Sequence, residues 1–268
     1  MVDPERLKAD SIIPNYDMSP DLAVIMTDDL LNERVADEQT NQRFVCVEIN
    51  NNSKYANLCR YVERVVFEQA FGNDSEELKR EYGPYDPASR FFLSIDRTQK
   101  MPTGMIRIIQ NSPEGLKTLN DVAEPPLNLR PEVVKDEHSL DINKTWDVGT
   151  VAVMPEFRSG EGAVSVQLYR AMYKSACNHG IDHLVSVIDD RALTKLTDYL
   201  GIPFVPLADS KPFSYLGSEK SQAVYGYIPE FYAKMNRRRY TLKGFMARRA
   251  LGHLVQGTRD DALFLSEE

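Results

Sequence analysis

Between Trp146 and Gly180 the residue types and their spacing fit the holding of an anion. Glu156-Phe157-Arg158-Ser159-Gly160-Glu161-Gly162 is a tight polar turn with two glycines. It follows Trp146 to Met154, an alternating β-branched stretch that predicts a strand, which Pro155 stops. After it, Val164, Leu168, Ala171, Met172, Ser175 and Ala176 recur at helical spacing over Ala163 to His179. Gly180 stands where a helix C-cap glycine belongs. A glycine turn that opens a helix leaves backbone N–H groups unpaired at the positive end of the helix dipole, and these hold phosphate. Arg158 adds a charge at the lip. The spacing is not G-x-G-x-x-G, and G-x-x-x-x-G-K-[ST] occurs nowhere, which sets aside dinucleotides and nucleoside triphosphates. The same two glycines also read as a tight turn and nothing more.

The elements that must position this turn read off in order. Within residues 1 to 42, with Pro4, Pro14 and Pro20, a short helix is expected near Asp21 to Glu33, and the rest is expected to be an arm over the surface. Arg43 to Ile49 alternates as a strand. Ser53 is placed to cap a helix from Lys54 to Phe71, with Leu58, Val62, Val65, Val66 and Phe67 on one face. A short charged helix over Ser75 to Tyr82 and a loop to Pro87 precede two strands, Arg90 to Asp96 and Thr103 to Gln110, joined by a turn. Ser112-Pro113-Glu114 is a helix start, and the helix runs to Asp121. The Pro-rich stretch from Glu124 to Asn143 predicts an irregular excursion. Beyond Gly180, Ile181 to Ile188 is a strand, and Asp189 or Asp190 caps a helix to Leu200 that Gly201 closes. Gln222 to Ile228 reads as a strand at the sheet edge, Pro229 starts a basic helix to residue 256, and 257 to 268 are expected to be disordered. The main domain is therefore expected over residues 43 to 228.

Composition bounds the function. With 268 residues, 42% hydrophobic and 27% charged, the chain can bury a sizeable core. A net charge of −8 argues against generic nucleic-acid binding. Three cysteines, Cys46, Cys59 and Cys177, and four histidines show no metal-type spacing, which predicts a reducing compartment and no metal. No apolar run reaches membrane-spanning length and no signal-peptide pattern opens the chain, so a cytoplasmic location is expected.

Strand, Pro-Glu-Phe-Arg, glycine turn, helix, Gly-Ile and strand resembles the acyl-CoA-binding core of the GNAT acyltransferase superfamily. More narrowly, the chain resembles the autoinducer synthase branch, which holds acyl-homoserine-lactone synthases and long-chain N-acyl amino acid synthases. Phe67 matches that branch's R-x-x-x-F helix, with Arg64 one place late. Asp86 matches the second aspartate of its E-F-D-x-Y-D loop, and Arg107 the arginine of G-x-x-R-L-L. Trp146 to Val153 resembles W-E-L-S-R-x-A-V, with Asp147 for the acid and Thr150 where an arginine is expected. The resemblance implies an α/β (α+β) fold with a mixed, mostly antiparallel central sheet, a splayed central strand and flanking helices.

It also implies an activity: transfer of an acyl group from a thioester to the amine of a small molecule, an amino acid or derivative. Coenzyme A thioester or acyl-phosphopantetheine on an acyl carrier protein is the implied donor. Val151, Ala152 and Val153 would pair with the pantetheine arm. Arg158, Ser159, Gly160, Glu161, Gly162 and Ala163 would cradle the phosphate. Asp147 would hold or deprotonate the amine, Asp86 and Arg107 would fix the acceptor, and Phe67 and Thr150 would touch substrate. The basic C-terminal helix would dock an acyl carrier protein or an anionic membrane surface. Other readings stay open. Asp147 and Arg107 also read as paired strand residues on a solvent face, Asp86 as a turn aspartate, and Phe67 as core. An acetyl-CoA-dependent acetyltransferase and a non-catalytic acyl-binding module share the same motifs.

Overall fold

In a computed structural model, the described residues are 13–35, 42–158, 163–237 and 264–265. Their contacts divide the chain into two units, Met1–Ile108 with Thr150–Met172 and Asp261–Glu268, and Ile109–Gly149 with Tyr173–Asp260. Helices flank mixed, mostly antiparallel strands in both, as the sequence predicts.

In the first unit, helix α1 (Pro20–Arg34) begins where Ser19 accepts a hydrogen bond from Leu22 N at 3.2 Å and Pro20 holds the first helical position. Its Ala23, Met26, Leu30 and Leu31 are buried with Met18 and Val35 in the unit's hydrophobic core. The helix expected near Asp21 to Glu33 is thus present, and its apolar side chains, spaced three and four apart, enter the core. Strand β1 (Phe44–Asn50) pairs antiparallel with β2 (Ser89–Asp96), from Phe44–Asp96 to Asn50–Arg90. Helix α2 (Ala56–Phe71) starts later than expected, because Ser53 accepts from Tyr55 N at 3.3 Å and holds a turn there. It ends at Gly72, whose φ of 79° suits the left-handed cap.

Helix α3 (Ser75–Tyr82) is capped by Asp74, which accepts from Glu77 N at 2.9 Å. A 3-10 turn over Gly83–Ala88 then leads into β2, and β3 (Met101–Ile109) follows after a tight turn. Here the strand order is β4–β3–β2–β1–β9, where β4 is Thr145–Val153 and β9 is Phe264–Leu265. Strand β9 lies parallel to Cys46–Val47 of β1, so part of the stretch expected to be disordered is a strand. An unpaired β1 edge offers N–H and C=O groups that a short strand satisfies.

In the second unit, α4 (Lys117–Ala123) is followed by α5 (Pro131–His138). Helix α5 replaces the expected irregular excursion. Pro131 suits the first helical position, Val134 is buried, and Ser139 turns left-handed at φ 50° to end it. The first half of β4 runs parallel to β5 (His183–Asp189). Strand β8 (Ser218–Tyr227) pairs antiparallel with β5 from His183–Tyr227 to Asp189–Ser221. On its far side it carries β6 (Val205–Pro206) and β7 (Phe213–Tyr215). The strand read as the sheet edge is therefore interior, paired on both sides. Asp189 caps α7 (Asp190–Thr194), accepting from Arg191 N at 3.0 Å, and a single wide turn over Lys195–Tyr199 continues it. Helix α6 (Ala163–Asn178) precedes β5, and α8 (Ile228–Arg237) follows β8. The charged residues of the basic tail past Arg237 lie outside the described residues.

Gly104 of β3 is a point of close approach. A Cβ there would lie 2.9 Å from the Ala152 carbonyl oxygen, 3.0 Å from Val164 Cγ1 and 3.1 Å from Leu168 Cδ1. The backbone of β4 and the face of α6 leave no room for a methyl group. Gly104→Ala is expected to cost about 1–3 kcal/mol and to lower the thermal midpoint by several degrees. An unchanged midpoint in a melting experiment would show that β4 has room to give way.

Candidate functional site

In the first unit, Arg107 is the largest polar side chain of the core and is fully buried. It enters from β3, where alternation turns it away from the side of Ile106 and Ile108. Each of its five N–H groups has an acceptor. Nε donates to Glu63 Oε1 at 3.1 Å, and Nη2 donates to Glu63 Oε2 at 2.6 Å and to Tyr16 Oη at 2.8 Å. Nη1 donates to Asp86 Oδ1 and Ser89 Oγ, both at 3.0 Å. The rings of Tyr82 and Phe91 each lie 4.7 Å from the guanidinium carbon.

A second buried arginine completes the cluster. Arg60 of α2 donates to Asp86 Oδ1 at 3.2 Å and Oδ2 at 2.5 Å, and to Asn57 Oδ1 at 2.6 Å. Thr150 Oγ1 donates to Glu63 Oε1 at 2.5 Å. Two arginines thus face two carboxylates, and the formal charges cancel. Burial works against the Arg107 charge, but the neighbouring Glu63 and Asp86 outweigh it and keep the guanidinium protonated. Burial pushes the Tyr16 and Tyr82 phenols well up, so both stay neutral.

The sequence places Arg107 and Asp86 at the acceptor, with Arg107 otherwise on a solvent face and Asp86 otherwise in a turn. The structure brings them together, buried, and commits them to one another's neighbours. Three partners carried no chemical role in the sequence reading: Glu63, Arg60 and Tyr16. The first two had a signal. Arg60 and Glu63 are charged, yet Glu63 lies at helical spacing with Cys59, Val62 and Val66, all buried. Tyr16, far upstream, had none. Glu63 also stands four residues before Phe67, where the resembling motif has an arginine, and Thr150 fills that motif's other arginine place. These two substitutes bond to each other.

The remaining residues of this unit fall as follows. Phe67 packs against the core and lies 5.4 Å from the Phe71 ring, a core role. Ala152 is buried, while Val151 and Val153 are half-buried. Arg158 is exposed at the head of the turn, and its Nε donates to the Val153 carbonyl at 2.9 Å. Ala163 opens α6. Ser159, Gly160, Glu161 and Gly162 lie outside the described residues.

Asp147 belongs to the second unit and is fully buried rather than on a solvent face. Its Oδ1 accepts from Thr118 Oγ1 at 2.8 Å and its Oδ2 from Thr118 N at 2.5 Å. Thr118 is in the first turn of α4, whose N–H groups have no acceptor within the helix. Beside it, Lys117 Nζ donates to Asp121 Oδ2 at 2.8 Å and to Tyr215 Oη at 3.0 Å, and Tyr215 Oη donates to Asp121. Burial pushes the Asp147 carboxyl up to about 7; the two Thr118 bonds and Lys117 oppose the rise, and Asp121 adds to it. Asp147 is also the last rung of the β4–β5 ladder, which runs from Thr145–His183 to Asp147–Val185 while β4 continues to Val153. Ser186 Oγ donates to the Val148 carbonyl at 2.7 Å just past that rung.

Among the described residues, no group of three or more His, Cys, Asp and Glu is placed to hold a metal ion. No helix among them is long and apolar enough to cross a membrane.

No family model and no curated protein matches the chain. Among solved structures it is similar to FeeM, an N-acyl amino acid synthase from uncultured soil microbes. Identity is 18% and the TM-score 0.52, over 72% of this chain and 94% of that one. It also aligns with MesI, a CoA-dependent acyl-homoserine lactone synthase, at 13% identity and TM-score 0.47 over 82% of this chain and 98% of that one. An IAA acetyltransferase from Bacillus cereus aligns at 12% identity and TM-score 0.41, over 69% and 99% of the two chains. The likeness to FeeM is one of fold.

Two predictions arise from these constellations. Arg107→Met leaves Glu63 buried without its guanidinium, and is expected to cost about 3–5 kcal/mol in urea unfolding at pH 7. A variant that unfolds like the parent but loses only substrate affinity would make Arg107 a binding group instead. For Asp147, the folded state keeps its proton up to about pH 7, whereas an unfolded aspartate releases it near pH 4. The native state therefore binds more protons in that window, and the parent should lose stability relative to Asp147→Asn as pH rises from about 4 to about 7. Urea midpoints taken across this range test the sign; a constant difference between the two proteins would refute it.

Proposed function

We propose that this chain is an N-acyltransferase that moves an acyl group from a thioester donor to the amine of a small molecule, an amino acid or derivative. The observation that carries the reading is the end of the β4–β5 ladder at Asp147 while β4 runs on to Val153. Backbone N–H groups of a strand released from its neighbour are available to an extended substrate arm and to an oxyanion. The shared fold with FeeM supports it.

The chemistry then needs few groups. The amine nitrogen attacks the thioester carbonyl, the C–N bond forms and the C–S bond breaks. The thiol leaves, and the amine's proton passes to the Asp147 carboxylate, directly or through one water. A carboxyl drawn up to about 7 is matched to that task at neutral pH. N–H groups near Val151 and Val153 would hold the oxyanion. Acyl-CoA and acyl carrier protein are both admitted as donors, and Arg158, exposed at the head of the turn, would supply a positive charge to the phosphate of either. Arg107 and Asp86 serve as the scaffold under β4 rather than as acceptor clamps, because their polar atoms are already used.

Thiol release is the direct test. Purified protein is offered acyl-CoAs from acetyl to hexadecanoyl with pooled amino acids and amines, and the products are read by mass spectrometry. Turnover that rises with chain length and gives an N-acyl product is expected. Turnover with acetyl-CoA alone would replace the long-chain reading by an acetyltransferase. Silence with acyl-CoAs and with acyl carrier proteins would overturn enzymatic transfer.

A further inference from the structure

The α4 N-terminus sits against the one carboxylate that the proposed reaction uses as base. Thr118 is buried, and it is gripped to Asp147 through two separate donors, its hydroxyl and its backbone N–H, one on each carboxylate oxygen. A single contact would leave the carboxyl free to turn about its last bond. Two contacts on two oxygens hold its plane. We propose that Thr118 is the positioning residue of the reaction: its two-point grip aims the Asp147 carboxylate and selects which lone pairs remain for the substrate amine.

This inference rests on Asp147 as the proton acceptor. It adds a residue that carries no motif and that lies outside every matched stretch of the sequence. The wider shell agrees with it. On α4, the charged groups near the carboxylate are Lys117 and Asp121, and both are tied to each other and to Tyr215 of β7. Lys117 is held by Asp121 and Tyr215, and its charge acts on Asp147 from beside it. On β5 the facing stretch Leu184 to Val187 carries no charge, and His183 at its start bonds to Tyr225 Oη at 2.9 Å. Thr118 is thus the donor that fixes the carboxylate without neutralising it, which a base requires.

The hydroxyl and the N–H can be separated by substitution. Thr118→Val keeps the shape and the backbone bond but removes the hydroxyl donor, and Thr118→Ser restores that donor without the methyl group. The probe is the carboxyl carbon of Asp147 in 13C-aspartate-labelled protein, followed against pH and assigned by its disappearance in Asp147→Asn. Loss of one hydrogen bond to the ionised form should raise the midpoint in Thr118→Val by about 0.5–1 pH unit, and Thr118→Ser should bring it back. The acid limb of the kcat/KM profile for acyl transfer should move with it.

A midpoint that does not move in Thr118→Val overturns the grip. A midpoint that moves while the acid limb stays in place overturns its role in the reaction. Full turnover by Asp147→Asn overturns something different, the reading of Asp147 as the base, and the midpoint shift in Thr118→Val still reports the grip itself. A purely structural Thr118 would lower the melting temperature of both variants and leave the limb where it was.

Discussion

A buried guanidinium is costly unless every N–H has an acceptor and the charge has a counter-charge. Arg107 meets both demands, and the first unit is arranged around the way it does so. Its acceptors come from four places in the chain: Tyr16 ahead of α1, Glu63 on α2, Asp86 in the 3-10 turn and Ser89 at the start of β2, while Thr150 on β4 donates to Glu63. None of these segments can move without leaving a donor or a carboxylate unsatisfied. The N-terminal segment is held for this reason as much as by its apolar side chains. Arg64 adds to the hold, donating from Nε to the Tyr16 carbonyl at 3.0 Å.

The cluster also explains the departures from the resembling motifs. Arg60 and Arg107 already supply two positive charges against Glu63 and Asp86. An arginine at either position 63 or 150 would add a third charge to a volume without solvent. Glutamate at the first position and a hydroxyl at the second instead bond to each other, and the balance is kept. The two positions are therefore filled as a bonded pair.

In the second unit a different constraint operates. A helix start exposes N–H groups that need acceptors, and α4 finds one in Asp147. The carboxylate receives two bonds but is withdrawn from bulk water. Desolvation outweighs the bonds, so the group holds its proton to about pH 7. The same residue closes the β4–β5 ladder, and Ser186 satisfies the first carbonyl beyond it. Past that rung a side chain takes over one of the hydrogen bonds that the neighbouring strand gives up.

The element types were legible from sequence because they depend on local periods and local caps. Alternation marked β1, β2, β3 and β4, a helical period marked α2 and α6, and Gly72 and Gly180 ended helices where the backbone turns left-handed. Helix α5 was hidden by its prolines, although Pro131 at the first helical position was the sign of it. Strand β8 was mistaken for an edge because alternation cannot tell one neighbour from two. Asp86, Arg107 and Asp147 stood out as charged residues in or beside strands, and that much is a property of the chain alone. Which groups meet them is not. Tyr16 and Arg107 are joined across 91 positions, and Glu63 and Thr150 across 87. A charge surrounded by water needs no particular partner, whereas a buried one must find all of its partners at once, and only the packed tertiary structure brings those distant residues within hydrogen-bond reach.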